Sequence, residues 1–458
     1  MKSGGAIPFR ENAKRSLRDP DLRRAMRAAV GTFGSKRESA VQSLPGFEEY
    51  RERAAETKSK VIENLEEFVN LFREKARERG VVVHDAPDAE TARKIVGDLF
   101  RERGVRLAVK SKSMVTEEIH LNEHLEKMGI EVLETDLGEY IVQLAKESPS
   151  HIIVPAIHRD RKQVAKLFSE KLGVPYTEDV EELTKVARRT LREKFLAADA
   201  GISGANFLIA QTGSVAIFTN EGNGRMVTTV PKLHVVVTSV EKVIPSLEDL
   251  ALFSRLLPRS ATGQVMSSYL SLITGPRREG EGTGAEEVHL VLLDNGRRDI
   301  ARSDYRDILR CIRCGACMNV CPVYRVVGGH AYGSTYPGPM GIVLTSALQG
   351  LEKSHPIVDG STLCGACAEV CPVKIPLVDL ILALRREKVR RGLTPALERA
   401  GMRAFGKAAS VPQIFSAYQQ YAHSIWPLAK IFGSPAGKKF PRPERKSFVK
   451  RVRDAGED

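Results

Sequence analysis

The stretch Cys311-Ile-Arg-Cys314-Gly-Ala-Cys317-Met-Asn-Val-Cys321-Pro322 is answered downstream by Ser361-Thr-Leu-Cys364-Gly-Ala-Cys367-Ala-Glu-Val-Cys371-Pro372. Together the two runs hold all seven cysteines of the 458-residue chain. The first has the C-x2-C-x2-C-x3-C-P spacing with which bacterial ferredoxins hold cubane iron-sulfur clusters. Soft thiolates select such clusters, and the short spacings let one loop wrap three corners of a cube. Gly315 keeps the loop open for close backbone approach, and Pro322 turns the chain away after the fourth ligand. The runs align on Gly-Ala and on Cys-Pro, so they are an internal duplication.

In two-cluster ferredoxins the fourth cysteine of each run ligates the other cluster. That rule assigns Cys311, Cys314, Cys317 and Cys371 to one 4Fe-4S cube. The other receives Cys321, Cys364 and Cys367, and its fourth corner falls at Ser361. A hydroxyl is a harder and far less acidic ligand than a thiol, which leaves three outcomes open: a labile 4Fe-4S cluster with an oxygen or water corner, a 3Fe-4S cluster, or an empty site. A zinc site needs only four ligands and does not explain two Cys-Pro runs. Clustered thiols without a secretory signal argue for a reducing compartment and against disulfides.

Outside these runs, 42% of residues are hydrophobic, enough for sizeable cores in two or three domains of roughly 150 residues each. The longest apolar stretches, 233–237 and 375–384, fall short of the ~20 residues a membrane helix needs. The N-terminus shows no hydrophobic secretory core, so a cytoplasmic location is expected. Much of the net charge of +13 lies near the ends, in Lys14, Arg15, Arg18, Arg23, Arg24 and Arg27 and in Lys438, Lys439, Arg442, Arg445, Lys446, Lys450, Arg451 and Arg453. No finger, homeodomain or aromatic RNA-binding signature accompanies them, so no nucleic-acid partner is expected. A solvated surface, or a docking surface for an acidic subunit or for anionic lipid as a peripheral membrane contact, is the preferred reading.

In chain order, residues 1–46 form a basic helical arm interrupted by Pro20 and Gly31. Residues 47–79 carry Val61, Leu65, Phe68, Val69 and Phe72 at helical spacing, which predicts one long amphipathic helix. From Val81 the pattern alternates: strands at 81–83, 105–109, 130–133 and 151–154, and helices at 88–103, 115–128 and 160–172. A helix over 181–200 follows, then strands near 207–210, 214–219 and 233–237, a helix over 247–257 and a last strand near 289–293. Such alternation predicts a three-layer α/β domain over 47–300 with a largely parallel sheet. The long link between the cysteine runs points to an all-α helical ferredoxin module over 301–392. Residues 393–458 are read as a basic, proline-punctuated docking tail containing Trp426 and an apolar patch at 425–432.

Open α/β sheets bind ligands at strand ends. Polar turns there include Lys112-Ser113-Met114 with Glu117 and Glu118, Asp136-Leu-Gly-Glu139, Gln211-Thr212-Gly213-Ser214, and Asn220-Glu221-Gly222-Asn223-Gly224-Arg225. Asp136, Glu139, Thr212, Ser214 and Arg225 are taken as a candidate organic-anion site, with Arg225 supplying a fork-shaped counter-charge. The absence of a G-x-G-x-x-G after the first strand and of a P-loop gives no support to nicotinamide, flavin or ATP. His120 and His124, one helical turn apart, lack further metal ligands.

The α/β domain with Thr135-Asp136-Leu137-Gly138-Glu139-Tyr140 and Gln211-Thr212-Gly213-Ser214, then the two cysteine runs, the Gly-Gly-His-Ala-Tyr and Tyr-Pro-Gly-Pro insert and a basic tail, resembles the lactate utilization protein B (LutB) family. The match covers almost the whole chain. It implies a LUD domain, similar in fold to formyltetrahydrofolate cyclo-ligases and sugar-phosphate isomerases, fused to a helical ferredoxin module. It also implies a cytoplasmic complex with a cysteine-rich, LutA-like protein and a second, LutC-like LUD protein that oxidises L-lactate to pyruvate, allowing lactate to serve as carbon source. The family pattern has cysteine where this chain has Ser361. Cubane clusters accept one electron at a time, so the chain is expected to be an oxidoreductase subunit rather than a complete enzyme, with its catalytic residues unassigned. The alternative is an electron-transfer adaptor for another 2-hydroxy-acid or heterodisulfide-type oxidoreductase.

Overall fold

The computed structural model describes residues 5–415, 417, 421, 451 and 452. Trp426 and the 425–432 patch lie outside them, as does most of the expected docking tail. The chain divides into two compact units, residues 1–386 and 387–458.

Ten strands are formed by the described residues: β1 Val82–Ala86, β2 Leu107–Lys110, β3 Glu131–Glu134, β4 Ala200–Ser203, β5 Phe207–Ile209, β6 Ser214–Thr219, β7 Leu233–Ser239, β8 Val243–Ile244, β9 Tyr269–Ile273 and β10 Glu287–Leu293. Six make a parallel sheet in the order β1-β10-β7-β4-β2-β3, and the rest a smaller sheet β8-β5-β6-β9. Because side chains alternate across a strand, Val235 and Val237 of β7 face one layer and Val236 the other. Val235 and Val237 pack with Val96, Phe100 and Leu125 from helices Ala89–Glu102 and Leu121–Lys127. Val236 packs with Val69 and Phe72 of the helix Leu65–Glu78. Helices Leu137–Leu144, Arg161–Leu172 and Val180–Ala197 add a third cluster around Tyr140, Phe168 and Leu191. The mostly parallel α/β sheet is as the alternating pattern predicts. No helix among the described residues is long and apolar enough to cross a membrane.

Four local expectations are corrected. Gly31 does not interrupt the arm, because the helix Pro20–Gln42 runs through it. The helix of 47–79 is two, Phe47–Glu63 and Leu65–Glu78, separated at Asn64, whose amide donates back to Lys60 O at 2.9 Å. The helix of 115–128 is also two, with His120 in the left-handed region between Met114–Glu118 and Leu121–Lys127. Residues 151–154 form no strand, because the His151 ring folds the backbone over itself. Its Nδ1 accepts from Ile153 N at 3.0 Å and Val154 N at 3.1 Å, and Ser150 N donates to Pro155 O at 2.9 Å.

After β10 the described elements are helices and turns. The N-terminal arm lies along this region instead of projecting from it. Phe9 packs on Tyr332 with ring centroids 5.2 Å apart, Ile7 N donates to Lys353 O at 2.9 Å, and Arg37 Nη2 donates to Val370 O at 3.1 Å. The Gly-Gly step of the insert has a steric cause, since a Cβ on Gly329 would stand 1.8 Å from Ser150 O.

What binds the sheet to the cysteine region is a buried ionic chain. Glu241 sits in the turn after β7. Its Oε2 meets Arg297 Nε at 2.8 Å and its Oε1 meets Arg313 Nη2, from the first cysteine loop, at 3.1 Å. Arg297 continues to Glu118 at 2.6 Å, and Tyr336 OH donates to the same carboxylate at 2.6 Å. Lys58 Nζ donates to the Glu241 and Val243 carbonyls. Burial alone would push the Glu241 carboxyl up, but the two guanidinium groups outweigh it and hold the pKa at about 2. Breaking a buried pair costs about 3–5 kcal/mol because it strands the partner charge. Glu241→Ala is therefore expected to lower unfolding free energy by about that amount in urea titrations, whereas a loss no larger than that of an exposed ion pair would contradict this role.

Candidate functional site

No disulfide joins any of the seven cysteines. Cys311, Cys314, Cys317 and Cys371 line one enclosed hollow whose remaining wall is mainly apolar, with Ile152, Ile312, Met340 and Ile375. Cys321, Cys364 and Cys367 form a second set, near enough for their charges to act on one another. The fourth cysteine of each run thus joins the thiols of the other. The duplication is present in the backbone too. Arg313 (φ 60°) and Gly315 (φ 76°) take left-handed conformations, as do their counterparts Leu363 (φ 57°) and Gly365 (φ 88°). Arg313 N donates to Cys311 Sγ at 3.4 Å, and Leu363 N donates to Ser361 Oγ at 3.1 Å. The serine therefore occupies the cysteine's place in an otherwise repeated loop.

The thiols fit an iron-sulfur group by their chemistry and their surroundings. Among the described residues no three His, Cys, Asp or Glu side chains converge as ligands of a single ion, whereas the thiols of a cube stand around four metal atoms. Backbone N–H groups point at sulfur: Tyr324 N at Cys321 (3.5 Å) and Ile375 N at Cys371 (3.4 Å). Such bonds and nearby charge tune cluster potentials. Cations gather at the first set. Arg313 Nη1 donates to Cys311 O at 3.3 Å, and Arg51 Nε donates to Cys371 O at 3.0 Å. Burial pushes the Cys371 thiol up to about 11 and raises Cys314 and Cys317 further, so a metal group held there would have to displace their protons. Cys364 is exposed, and hydrogen bonding from Ala366 N draws its thiol below the usual range. Tyr324 and Tyr332 are buried between the sets, their rings 6.4 Å apart, each acted on by both Cys317 and Cys321.

The five expected anion-binding residues do not converge. Thr212, Ser214 and Thr274 hydroxyls chain together at the start of β6 (2.9 and 3.0 Å). Asp136 lies toward Glu221, past the other end of that strand, with Leu137 N donating to Glu221 Oε2 at 3.3 Å. Arg225 stacks over the Tyr269 ring at 5.7 Å. A six-residue strand spans about 17 Å, which separates the hydroxyl pair from the carboxylates. Glu139 instead joins Lys112 at 3.6 Å, beside Lys110, Glu117 and Glu134.

Several functional candidates escaped the sequence reading: Arg313, Glu241, Arg297, Lys110 and Glu134. Only Arg313 carried a signal, a charged residue inside a C-x2-C loop. His120 pairs with Glu123 at 3.3 Å, and its neighbour His124 lies against Gly97.

Residues 69–293 match the LUD domain, and residues 307–375 match a 4Fe-4S dicluster domain. The chain is 42% identical to lactate utilization protein B of Bacillus licheniformis, covering 99% of both sequences, and 44% identical to lactate utilization protein B of Bacillus subtilis, covering 91% of this chain and 88% of the relative. The chain belongs to the lactate utilization protein B family. It is also 44% identical, over 94% of its length, to the uncharacterized electron transport protein YkgF of Escherichia coli. A crystal structure of a DUF162 family protein from Deinococcus radiodurans covers 50% of the chain at 12% identity with a TM-score of 0.28. In this family member the Glu241–Arg313 pair spans the two matched domains, since one residue lies in the LUD match and the other in the dicluster match.

The Glu139 carboxyl is pushed up to about 8, by burial first and then by Glu134 and Glu117, against the pull of Lys112. Its folded pKa exceeds the unfolded value of about 4.5, so the native state binds the extra proton between those pH values. This group's contribution is full below the lower value and is lost as pH rises through the higher, at up to about 1.4 kcal/mol per pH unit. Stability measured by denaturant titration from pH 5 to pH 8 is expected to fall less steeply in Glu139→Gln than in wild type. Parallel pH profiles would contradict the assignment.

Proposed function

We propose that this chain is the iron-sulfur electron-transfer subunit of a complex oxidising L-lactate to pyruvate, formed with a cysteine-rich LutA-like protein and a LutC-like LUD protein in the cytoplasm. The observation that carries the proposal is the pairing of two crossed thiol sets with a LUD domain in one chain. The relatives' name, which speaks of lactate utilization, supports the substrate. The domain reading remains the one proposed from sequence: a basic arm over 1–46, a cyclo-ligase-like LUD domain over 47–300, a helical ferredoxin module over 301–392 and a basic tail over 393–458. The tail and arm are proposed to offer charge to a partner or to anionic lipid.

Oxidation of lactate to pyruvate releases two electrons and two protons. When bound, 4Fe-4S clusters supply one-electron transfer. This chain's residues would hold and tune them. Cys311, Cys314, Cys317 and Cys371 are proposed ligands of the first; Cys321, Cys364, Cys367 and the Ser361 oxygen are proposed for the second. Arg313, Arg51 and Arg37 favour added negative charge at the first, and the apolar wall excludes water from it. The exposed position of Cys364 suits the second to exchange electrons with a partner.

Two measurements test this. Anaerobic iron and sulfide analysis is expected to give about eight irons per wild-type chain, falling to about four in Cys364→Ala. About four in wild type, unchanged by the substitution, would remove the second cluster. Adding L-lactate to the chain together with both partner proteins is expected to produce the EPR signal of reduced clusters. A signal that dithionite elicits and lactate with the partners does not would refute the lactate reading.

A further inference from the structure

The parallel sheet changes direction between β2 and β4. The chain leaves β2 for β3 on one side, then returns past it to β4 and moves on to β7 on the other. In open α/β sheets ligands bind at the carboxyl ends of the strands flanking such a point. Here those ends carry Lys110-Ser111-Lys112-Ser113 and Ser203-Gly204. The two loops press together, since a Cβ on Gly204 would stand 2.7 Å from Ser113 Oγ.

The groups gathered there are unequally satisfied. Lys110 is fully engaged, with Glu134 and, at 3.1 Å, with Glu117. Asn122 donates to Glu134 at 2.7 Å. Lys112 Nζ and Glu139 Oε1, by contrast, stand 3.6 Å apart, and neither has a hydrogen-bond partner. The Glu139 side chain is 4% exposed and that of Lys112 17%. Leaving buried polar atoms unpaired costs free energy, and a ligand that pairs both would recover it.

We propose that Lys112 and Glu139 form a binding site for a short 2-hydroxy or 2-oxo monocarboxylate, with Lys112 pairing the carboxylate and Glu139 the oxygen on the neighbouring carbon. The site deepens the lactate reading above and rests on it for the choice of acid. Its charge selects the ligand class. Glu117 and Glu134 act on Glu139, and Asp136 on the neighbouring Glu221, so the region repels a phosphate dianion more than a monocarboxylate, and one ammonium without a hydrogen-bond partner suits one carboxylate. A Glu139 carboxyl raised to about 8 keeps its proton at neutral pH and can donate to the ligand's oxygen. The site lies beside the first thiol set. His151, buried and acted on by the Lys112 charge, reaches Asn319 at 3.2 Å between Cys317 and Cys321, and a Cβ on Gly315 would stand 3.1 Å from the His151 ring.

The test is calorimetric titration of the full, cluster-loaded chain under anaerobic conditions with L-lactate, and with propionate, which lacks the 2-hydroxyl. Saturable lactate binding stronger than propionate binding is expected in wild type, a reading that needs no variant. Lys112→Met is expected to weaken lactate binding at least about tenfold while iron content and melting temperature stay unchanged; Lys112→Arg should restore part of it. Glu139→Leu should abolish the preference for lactate over propionate. No saturable lactate binding in wild type, or equal binding in Lys112→Met, would overturn the site. Cluster reduction by lactate with partners in that case would leave the electron-transfer reading standing. Lys112-dependent binding without such reduction would uphold the site and refute that reading.

Discussion

Between the carboxyl end of β7 and the first cysteine loop, the single carboxylate of Glu241 is shared by the guanidinium groups of Arg297 and Arg313, with all three side chains nearly excluded from solvent. Charges buried this deeply stabilise only when each is matched, because desolvation costs several kcal/mol per ion. The match here needs residues from three places: the β7 exit, the helix after β10 and the C-x2-C loop. If the loop shifted, Glu241 would lose Arg313 and an uncompensated charge would remain. The arrangement therefore fixes the cysteine region over the sheet edge in one register, and the same Arg313 that anchors the loop stands beside Cys311.

That placement joins two kinds of chemistry. A parallel sheet presents its ligand-binding edge where its strands end, and in this chain the edge is covered by the thiol loops. His151 is acted on by the Lys112 charge and reaches Asn319 of the first run. The cationic setting of the first thiol set contrasts with the exposed Cys364 of the second. Beside the exchange of Cys311 for Ser361, the two loops, whose backbones repeat each other, differ in charge, with Arg313 in one and Leu363 in the other.

The cysteine pattern was readable because ligand spacing is a local property, and the repeated left-handed residues at 313, 315, 363 and 365 follow from it. The parallel sheet was readable for a similar reason, since alternating periods of two and 3.6 survive in single segments. Asn64 was missed because the apolar repeat continues through the break. The stretch at 151–154 has strand-forming residues, yet the His151 ring and the insert packed on Ser150 override that local preference. The strand Ala200–Ser203 is too short and small-sided to declare itself, and nothing local marks Tyr269–Ile273 as pairing with β6. The ionic chain joins positions 118, 241, 297 and 313, separations at which sequence gives no sign of contact. The grouping of Thr212 and Ser214 with Asp136 failed for the same reason: polar turns look alike until the strands that carry them are placed.

The most direct measurement is an EPR-monitored potentiometric titration of the cluster-loaded chain, wild type against Arg313→Met. If the loop is held as described, removing this cation lowers the midpoint potential of the cluster at Cys311, because its added electron loses a compensating charge, and leaves the cluster at Cys364 where it was. Unchanged midpoints, or an equal shift in both clusters, would contradict the placement of Arg313 at the first cluster alone.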